Sequence, residues 1–171
     1  MFGGIGPITG ENAIYGQAVM NGAQIAVDEI NAEGGAIQVD LRYEDDQHDA
    51  EKAVNAYNIL KDWGMQISLG SVTSKLCEVT SGDTFADRIF ALTPSASSVA
   101  TTEGKDNQFQ MCFTDPNQGV GAAAYMAENY AGAKIAIIYR NDDAYSQGVR
   151  DAFVKEADSK GLSAVYQGTF T

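Results

Sequence analysis

Across residues 65–97 the chain alternates twice between a short apolar run and a cluster of small hydroxyl residues, and that alternation leaves few folds open. Gln66-Ile67-Ser68-Leu69-Gly70 reads as a half-apolar strand ending in Gly; Ser71-Val72-Thr73-Ser74-Lys75 follows as a polar loop, and an amphipathic helix begins there. Arg88-Ile89-Phe90-Ala91-Leu92 is the next strand. It runs into Thr93-Pro94-Ser95-Ala96-Ser97-Ser98, a second hydroxyl cluster behind a rigid Pro. In a parallel α/β sheet each cluster follows a strand and precedes a crossover, so both lie on the carboxyl edge, where ligands bind. Helix amino ends leave backbone N–H groups unpaired and carry a partial positive charge. Such an edge can therefore hold a carboxylate or phosphate without any Lys or Arg.

The same rhythm extends in both directions. Gly3-Gly4-Ile5-Gly6-Pro7-Ile8-Thr9-Gly10 reads as the tail of a strand, too short to be a full sheet member, running into a glycine-rich loop. Its spacing misses the dinucleotide fingerprint. Residues 15–31 carry Val19, Ala23, Ala26, Val27 and Ile30 at helical spacing, and Glu33-Gly34-Gly35 ends that helix. Ile37, Val39, Leu41 and Tyr43 alternate as a strand that runs into the acidic stretch of residues 44–49. Asp49 is placed to cap a helix carrying Ala53, Val54, Tyr57 and Leu60. Further on, residues 109–113 alternate as a strand, and the Pro and Asp of residues 114–119 stop it and open a new helix through residues 122–130. Residues 134–139 read as a buried strand and 140–145 as its carboxyl-end loop. A helix with Val149, Ala152, Phe153 and Ala157 on one face then leads to a last strand at residues 162–166. The repeated β-α-β pattern predicts parallel sheets with right-handed crossovers.

Bulk composition narrows the partners. With 44% hydrophobic residues in a chain of 171 the sequence can bury a core. A formal net charge of −12 argues against nucleic acid and anionic membrane and leaves a small molecule as the natural partner. No apolar run approaches the ~18 residues of a membrane span, and Met1-Phe2-Gly3-Gly4 has neither the charged nor the apolar region of a signal peptide. Cys77 and Cys112 form no CxxC motif and no zinc quartet, which leaves two free thiols or one bridge.

Catalytic chemistry finds little support. His48 is the only imidazole, it sits in the acidic loop where solvent exposure is expected, and no G-x-S-x-G elbow seats a nucleophile. Asp45-Asp46 follows the second strand, not the first as the acidic pair of a receiver domain would. The acidic run reads as a solvated loop with a cap in preference to a metal site. Cys77, one turn into its helix, is expected to be buried or bridged. Single loop serines are usually caps or turn residues. Two clusters at adjacent strand ends, with Tyr145 at another strand end, point instead to a pocket for a small anion-bearing ligand.

Gly6-Pro7-Ile8-Thr9-Gly10 with Tyr15-Gly16, Asn21-Gly22-Ala23 through Asp28-Glu29-Ile30-Asn31, Glu44-Asp45-Asp46, Thr93-Pro94-Ser95-Ala96-Ser97, and residues 135–139 leading to Asp143-Ala144-Tyr145 together resemble the type I periplasmic binding proteins of ABC transporters, most of all the branched-chain amino-acid-binding members. The resemblance runs almost the whole chain in the right order. It implies an α/β, Rossmann-like parallel-sheet lobe with part of a second lobe: residues 1–114 most of the first, 115–117 a hinge crossover, 118–171 the start of the second. It implies a clamp that closes over an aliphatic amino acid, no enzyme activity, no cofactor, an ABC permease as partner, and an extracytoplasmic location in the periplasm or on a lipid anchor. By the family pattern Ser74 and Ser97 hold the carboxylate, the Ser95 carbonyl and Ser97 hydroxyl take the ammonium, and Ala96 completes that edge. Tyr15 and Tyr145 wall the site, and Val72 and Thr73 border the side chain. Family members are longer, and the acidic partner of the ammonium would lie beyond this chain, which is expected to be an amino-terminal fragment. Export would favour a Cys77–Cys112 bridge, with Cα atoms roughly 4.4–6.8 Å apart. A sensory receptor domain of the same fold is the alternative reading, and a small flavodoxin-like enzyme a third.

Overall fold

A computed structural model describes residues 1–171, and the chain divides into two compact units. The first comprises residues 1–96 and 100–112, the second residues 97–99 and 113–171.

In the first unit, β1 (Phe2–Gly6), α1 (Ala13–Ala32), β2 (Leu41–Asp45), α2 (Ala50–Trp63), β3 (Ile67–Ser71), α3 (Ser74–Ala86), β4 (Phe90–Thr93) and β5 (Gln108–Gln110) alternate in chain order. The five strands form one parallel sheet in the order β2-β1-β3-β4-β5, a doubly wound arrangement whose direction of winding reverses between β1 and β3. The first strand, expected to be too short for a full sheet member, has five residues and lies inside the sheet between β2 and β3. Its glycines hid it. A Cβ on Gly4 would sit 2.2 Å from the Tyr43 ring, so the space over β1 is filled by side chains from its neighbours. A strand with so few side chains offers no alternation to read.

The second strand also shifts. It was expected from Ile37, yet pairing begins at Leu41, because β1 supplies partners only from Phe2 onward. Upstream, the Asn31 side chain substitutes for a neighbouring strand: Val39 N–H donates to its Oδ1 at 2.8 Å and its Nδ2 donates to Val39 O at 2.9 Å. Ile37 is left 75% exposed. Asp49 caps α2 as expected, accepting from the Lys52 N–H at 3.0 Å, and Gly64 ends that helix in the left-handed conformation. Ala56, Tyr57 and Leu60 of α2 pack with Ile5 and Met65 as the hydrocarbon core, with Trp63 and Ile89 against it.

The second unit holds α4 (Asp115–Asn129), β6 (Ile135–Arg140), α5 (Ala144–Ser159) and β7 (Ala164–Phe170), with β6 and β7 as a parallel pair. Residues 115–117, expected as a hinge crossover, form the start of a helix. Thr114 caps α4 by accepting from the Asn117 N–H at 3.4 Å, and Pro116 sits in the first turn, where its missing N–H costs nothing. The helix therefore begins seven residues before Ala122. Gly119 lets α4 and α5 meet, since a Cβ there would lie 2.5 Å from Val149 O. Ala123, Ile135, Ala157 and Leu162 form the core of this unit. The strand expected to be buried is covered only in part: Ile135 is 6% exposed, Ile138 70%. No helix is long and apolar enough to cross a membrane.

Candidate functional site

The carboxyl ends of β1, β3 and β4 lie side by side, and the loops that leave them are tied together by named bonds. Thr93, the last residue of β4, donates its hydroxyl to Ser71 O at 2.9 Å and accepts from Ala96 N–H at 3.1 Å. One side chain thus fixes the loop after β3 and the loop after β4. The two hydroxyl clusters expected at adjacent strand ends are brought together in this way, and Thr93 is a member that sequence reasoning left without a role.

Within this edge Ser74 is 5% exposed as the first residue of α3, Val72 and Ala96 are each 1% exposed, and Ser95 lies at the surface. Val72 packs its side chain onto Gly6 of the neighbouring strand, which makes it a core residue. Tyr15, two residues into α1, is 58% exposed. Two of the expected residues fall in the second unit. Ser97 is buried and its carbonyl accepts from Asp115 N–H at 2.9 Å. Tyr145 is in the first turn of α5, not in a loop, because Asp143 caps that helix by accepting from Ser146 N–H at 2.8 Å; the Tyr145 hydroxyl lies 3.1 Å from Gln118 Oε1.

The cysteine bridge is not made. Neither cysteine is in a disulfide, and each thiol has other company. Burial pushes the Cys77 thiol up to about 11, against hydrogen bonds to the Thr93 side chain and the Ser71 backbone that act the other way. Cys112 donates to Ser95 O at 3.3 Å and Ala96 O at 3.2 Å, so it braces the second hydroxyl loop from behind. That bracing engages the Ser95 carbonyl, which the family pattern assigns to the ammonium.

The amino end of α3 differs from those of α2, α4 and α5, whose cap side chains bond to their own helices. Its cap residue Thr73 has the extended backbone a cap requires, φ −95° and ψ 148°, yet makes no side-chain cap hydrogen bond. Its hydroxyl lies instead 3.3 Å from Nδ1 of His48. His48 was expected to be solvated in an acidic loop; it is half-buried and faces the candidate site. Nothing local in the sequence could have placed it there, since Thr73 is 25 residues away. Its backbone is left-handed (φ 60°), as is that of Gln47 (φ 49°), and its N–H donates to Asp46 Oδ1 at 2.8 Å. Asp46 is fully buried and its Oδ2 has no hydrogen-bond partner. Burial, with the neighbouring Asp45 and Asp49 charges, raises its carboxyl to about 6, against the opposing His48 N–H.

Asp45 does different work. Its Oδ1 accepts from Ile8 N–H at 2.8 Å and Gln47 N–H at 3.0 Å, and its Oδ2 accepts from the Thr9 hydroxyl at 2.5 Å. Desolvation pulls its carboxyl up, but these donors outweigh it and hold the group below the usual range. The acidic run thus anchors the loop after β1 to the end of β2. No group of three or more His, Cys, Asp or Glu residues is arranged to hold a metal ion.

The chain and its fold have known counterparts. A family model described as periplasmic binding protein matches residues 1–171. The Leu/Ile/Val-binding protein BraC3 of Rhizobium johnstonii is 34% identical over 170 residues, which cover 98% of this chain and 46% of that protein. Among solved structures, the branched-chain amino acid transporter substrate-binding protein LivJ of Streptococcus pneumoniae in complex with isoleucine superposes with a TM-score of 0.90 at 26% identity, covering 99% of this chain and 49% of that one. An ABC transporter substrate-binding protein of Desulfitobacterium hafniense in complex with Leu gives 0.81 at 26% identity, covering 100% of this chain and 51% of that one. The chain spans about half the length of the curated relatives it matches, 46% in the case of BraC3.

Proposed function

The chain belongs to the periplasmic binding protein family, and from that premise we propose that it forms part of a two-lobed protein that captures an aliphatic amino acid outside the cytoplasm for an ABC importer. The observation that carries this reading is the amino end of α3. There a buried serine and a helix terminus without its own side-chain cap stand beside a second hydroxyl loop held in place by Thr93. A helix terminus with hydroxyls suits a carboxylate and needs no cationic side chain, in keeping with a chain of net charge −12. Support for the amino-acid class comes from BraC3, named a Leu/Ile/Val-binding protein, and from the two structures that hold isoleucine and Leu. The proposed contacts are Ser74, Ser95, Ala96 and Ser97 for the two charged ends, with Tyr15 and Thr73 nearby. Val72 contributes through backbone position, since its side chain is in the core. Ser97 and Tyr145 belong to the other unit, and their assignment rests on the resemblance alone.

The test is calorimetric titration of the full-length protein with leucine, isoleucine, valine and their decarboxylated amines. The amino acids are expected to bind and the amines to fail. Ser74→Ala should lose a charge-assisted hydrogen bond worth ~1.5–3 kcal/mol, so that leucine binds roughly ten- to a hundred-fold more weakly. Equal affinity for amine and amino acid, or unchanged leucine binding by Ser74→Ala, would overturn the carboxylate assignment.

A further inference from the structure

Two threonines in this molecule cap helices with nearly the same backbone. Thr114, at φ −83° and ψ 153°, turns its hydroxyl onto its own helix and accepts from Asn117 N–H. Thr73, at φ −95° and ψ 148°, does not, although the same rotation is sterically ordinary for a residue in that conformation. The difference between them is a partner: Thr73 Oγ1 is engaged by Nδ1 of His48. The imidazole is itself held in place, by the left-handed turn at Gln47 and His48 and by the bond from His48 N–H to Asp46 Oδ1.

We propose that His48 is a positioning residue: it holds the Thr73 hydroxyl away from the amino end of α3, so that the Lys75 and Leu76 N–H groups do not acquire a side-chain acceptor of their own and stay available to an anionic ligand group. The inference rests on the reading of this terminus as the carboxylate site. In it the strained acidic loop serves the site at one remove. The unpartnered oxygen of Asp46 and the two left-handed residues are features of a loop whose conformation is set by what it must present. A self-capped α3 would be the more stable helix and the poorer site, because the ligand carboxylate would have to displace an intramolecular acceptor before it could bind.

The experiment is amide NMR on the full-length protein and its variants, first alone and then titrated with leucine. In His48→Ala the Thr73 hydroxyl is expected to turn onto its own helix, moving the Leu76 amide proton downfield, and leucine should bind about fivefold more weakly, the factor that corresponds to one side-chain cap. His48→Ala/Thr73→Val, which has no hydroxyl to turn, should bind leucine as Thr73→Val alone does. That rescue separates positioning from a structural role, because a loop merely damaged by loss of the imidazole would stay damaged in the double variant. His48→Gln, which keeps a hydrogen-bonding group, should resemble the wild type. An unmoved Leu76 amide in His48→Ala, or a double variant no better than the single one, would overturn the inference. Should His48→Ala fail to fold, Thr73→Val decides: a Leu76 amide left in place supports the inference, and one that moves upfield shows that Thr73 caps its helix in the native protein and overturns it. If the Leu76 amide responds as expected while leucine binds to no variant and not to the wild type, the positioning stands and it is the carboxylate reading that fails.

Discussion

α2 and α3 are neighbouring crossovers of one sheet, and they are built on opposite principles. α2 is closed at its amino end by Asp49 and buries hydrocarbon: Ala53, Ala56, Tyr57 and Leu60. α3 lacks a side-chain cap and buries hydroxyls, with Ser74, Thr80, Ser81 and Thr84 beside only Leu76 and Cys77. The amphipathic helix expected there is amphipathic in shape but not in chemistry. Its buried hydroxyls bond mostly to the helix's own carbonyls, Thr80 to Leu76 O at 3.1 Å and Thr84 to Thr80 O at 2.8 Å, while the Ser71 hydroxyl lies 3.2 Å from Thr80 Oγ1 across to β3. Such bonds satisfy the buried oxygens but add little net stability. The contrast teaches that this sheet divides its labour: the helix that leads away from the site supplies the cohesion, and the helix that begins in the site is seated by directional bonds.

The contrast can be broken most forcefully at Leu60. Leu60→Ala opens a cavity in a fully buried position and should destabilise the first unit by about 2–5 kcal/mol in urea unfolding followed by the fluorescence of Trp63, which packs on that same core. A loss below 1 kcal/mol would mean that α2 is not where the cohesion lies. A second probe goes to the turn ahead of α2. The folded carboxyl of Asp46 titrates at about 6, above its ordinary value of 3.8, so the folded state holds that proton more tightly than the unfolded chain. The resulting stability is fully present below about pH 4 and is lost as the pH rises through about 6. Asp46→Asn should therefore be more stable than the wild type at neutral pH, by at most about 3 kcal/mol, and should flatten stability between pH 4 and 6. A wild type whose stability rises across that window would contradict the assignment.

Thr80→Val tests α3 itself. If the seam were hydrocarbon in all but name, Val would be neutral or stabilising. Because the substitution strips the Ser71 hydroxyl of its neighbour, a loss of about 1–3 kcal/mol is expected, measured in the same unfolding assay. A smaller effect is expected at the closed end of α2, where Asp49→Ala should cost about 1 kcal/mol through the freed Lys52 N–H. The analogous change at α3, Thr73→Ala, should cost clearly less, since no cap bond is there to lose.

How much of this was legible follows the range of each interaction. The order of strands and helices, the Asp49 cap and the two hydroxyl loops are local patterns, and the structure keeps them. β1 was misjudged because glycines carry no pattern; what fills the space above it comes from Tyr43 and other side chains distant in sequence. The helix that Pro and Asp were read as opening begins at Asp115 itself, earlier than its apolar residues from Ala122 suggest, since Pro is at home in a first turn. The bridge between Cys77 and Cys112 was inferred from an even count, which says nothing of geometry; each thiol instead sits against oxygens of the hydroxyl loops. His48 escaped for the plainest reason: an imidazole in an acidic loop gives no sign of which threonine, on which other loop, it will meet.

The anchoring of the β1 loop by Asp45 has one more consequence. Ile8 and Thr9 are fixed through backbone N–H and hydroxyl to a carboxylate on the neighbouring strand. The conformational entropy of that segment is therefore lost when the chain folds and not when something binds beside it. Flexible binding loops commonly give up part of their contact energy to becoming ordered. Here that loss belongs to folding, so a small ligand with few atoms to offer meets an edge that is already still.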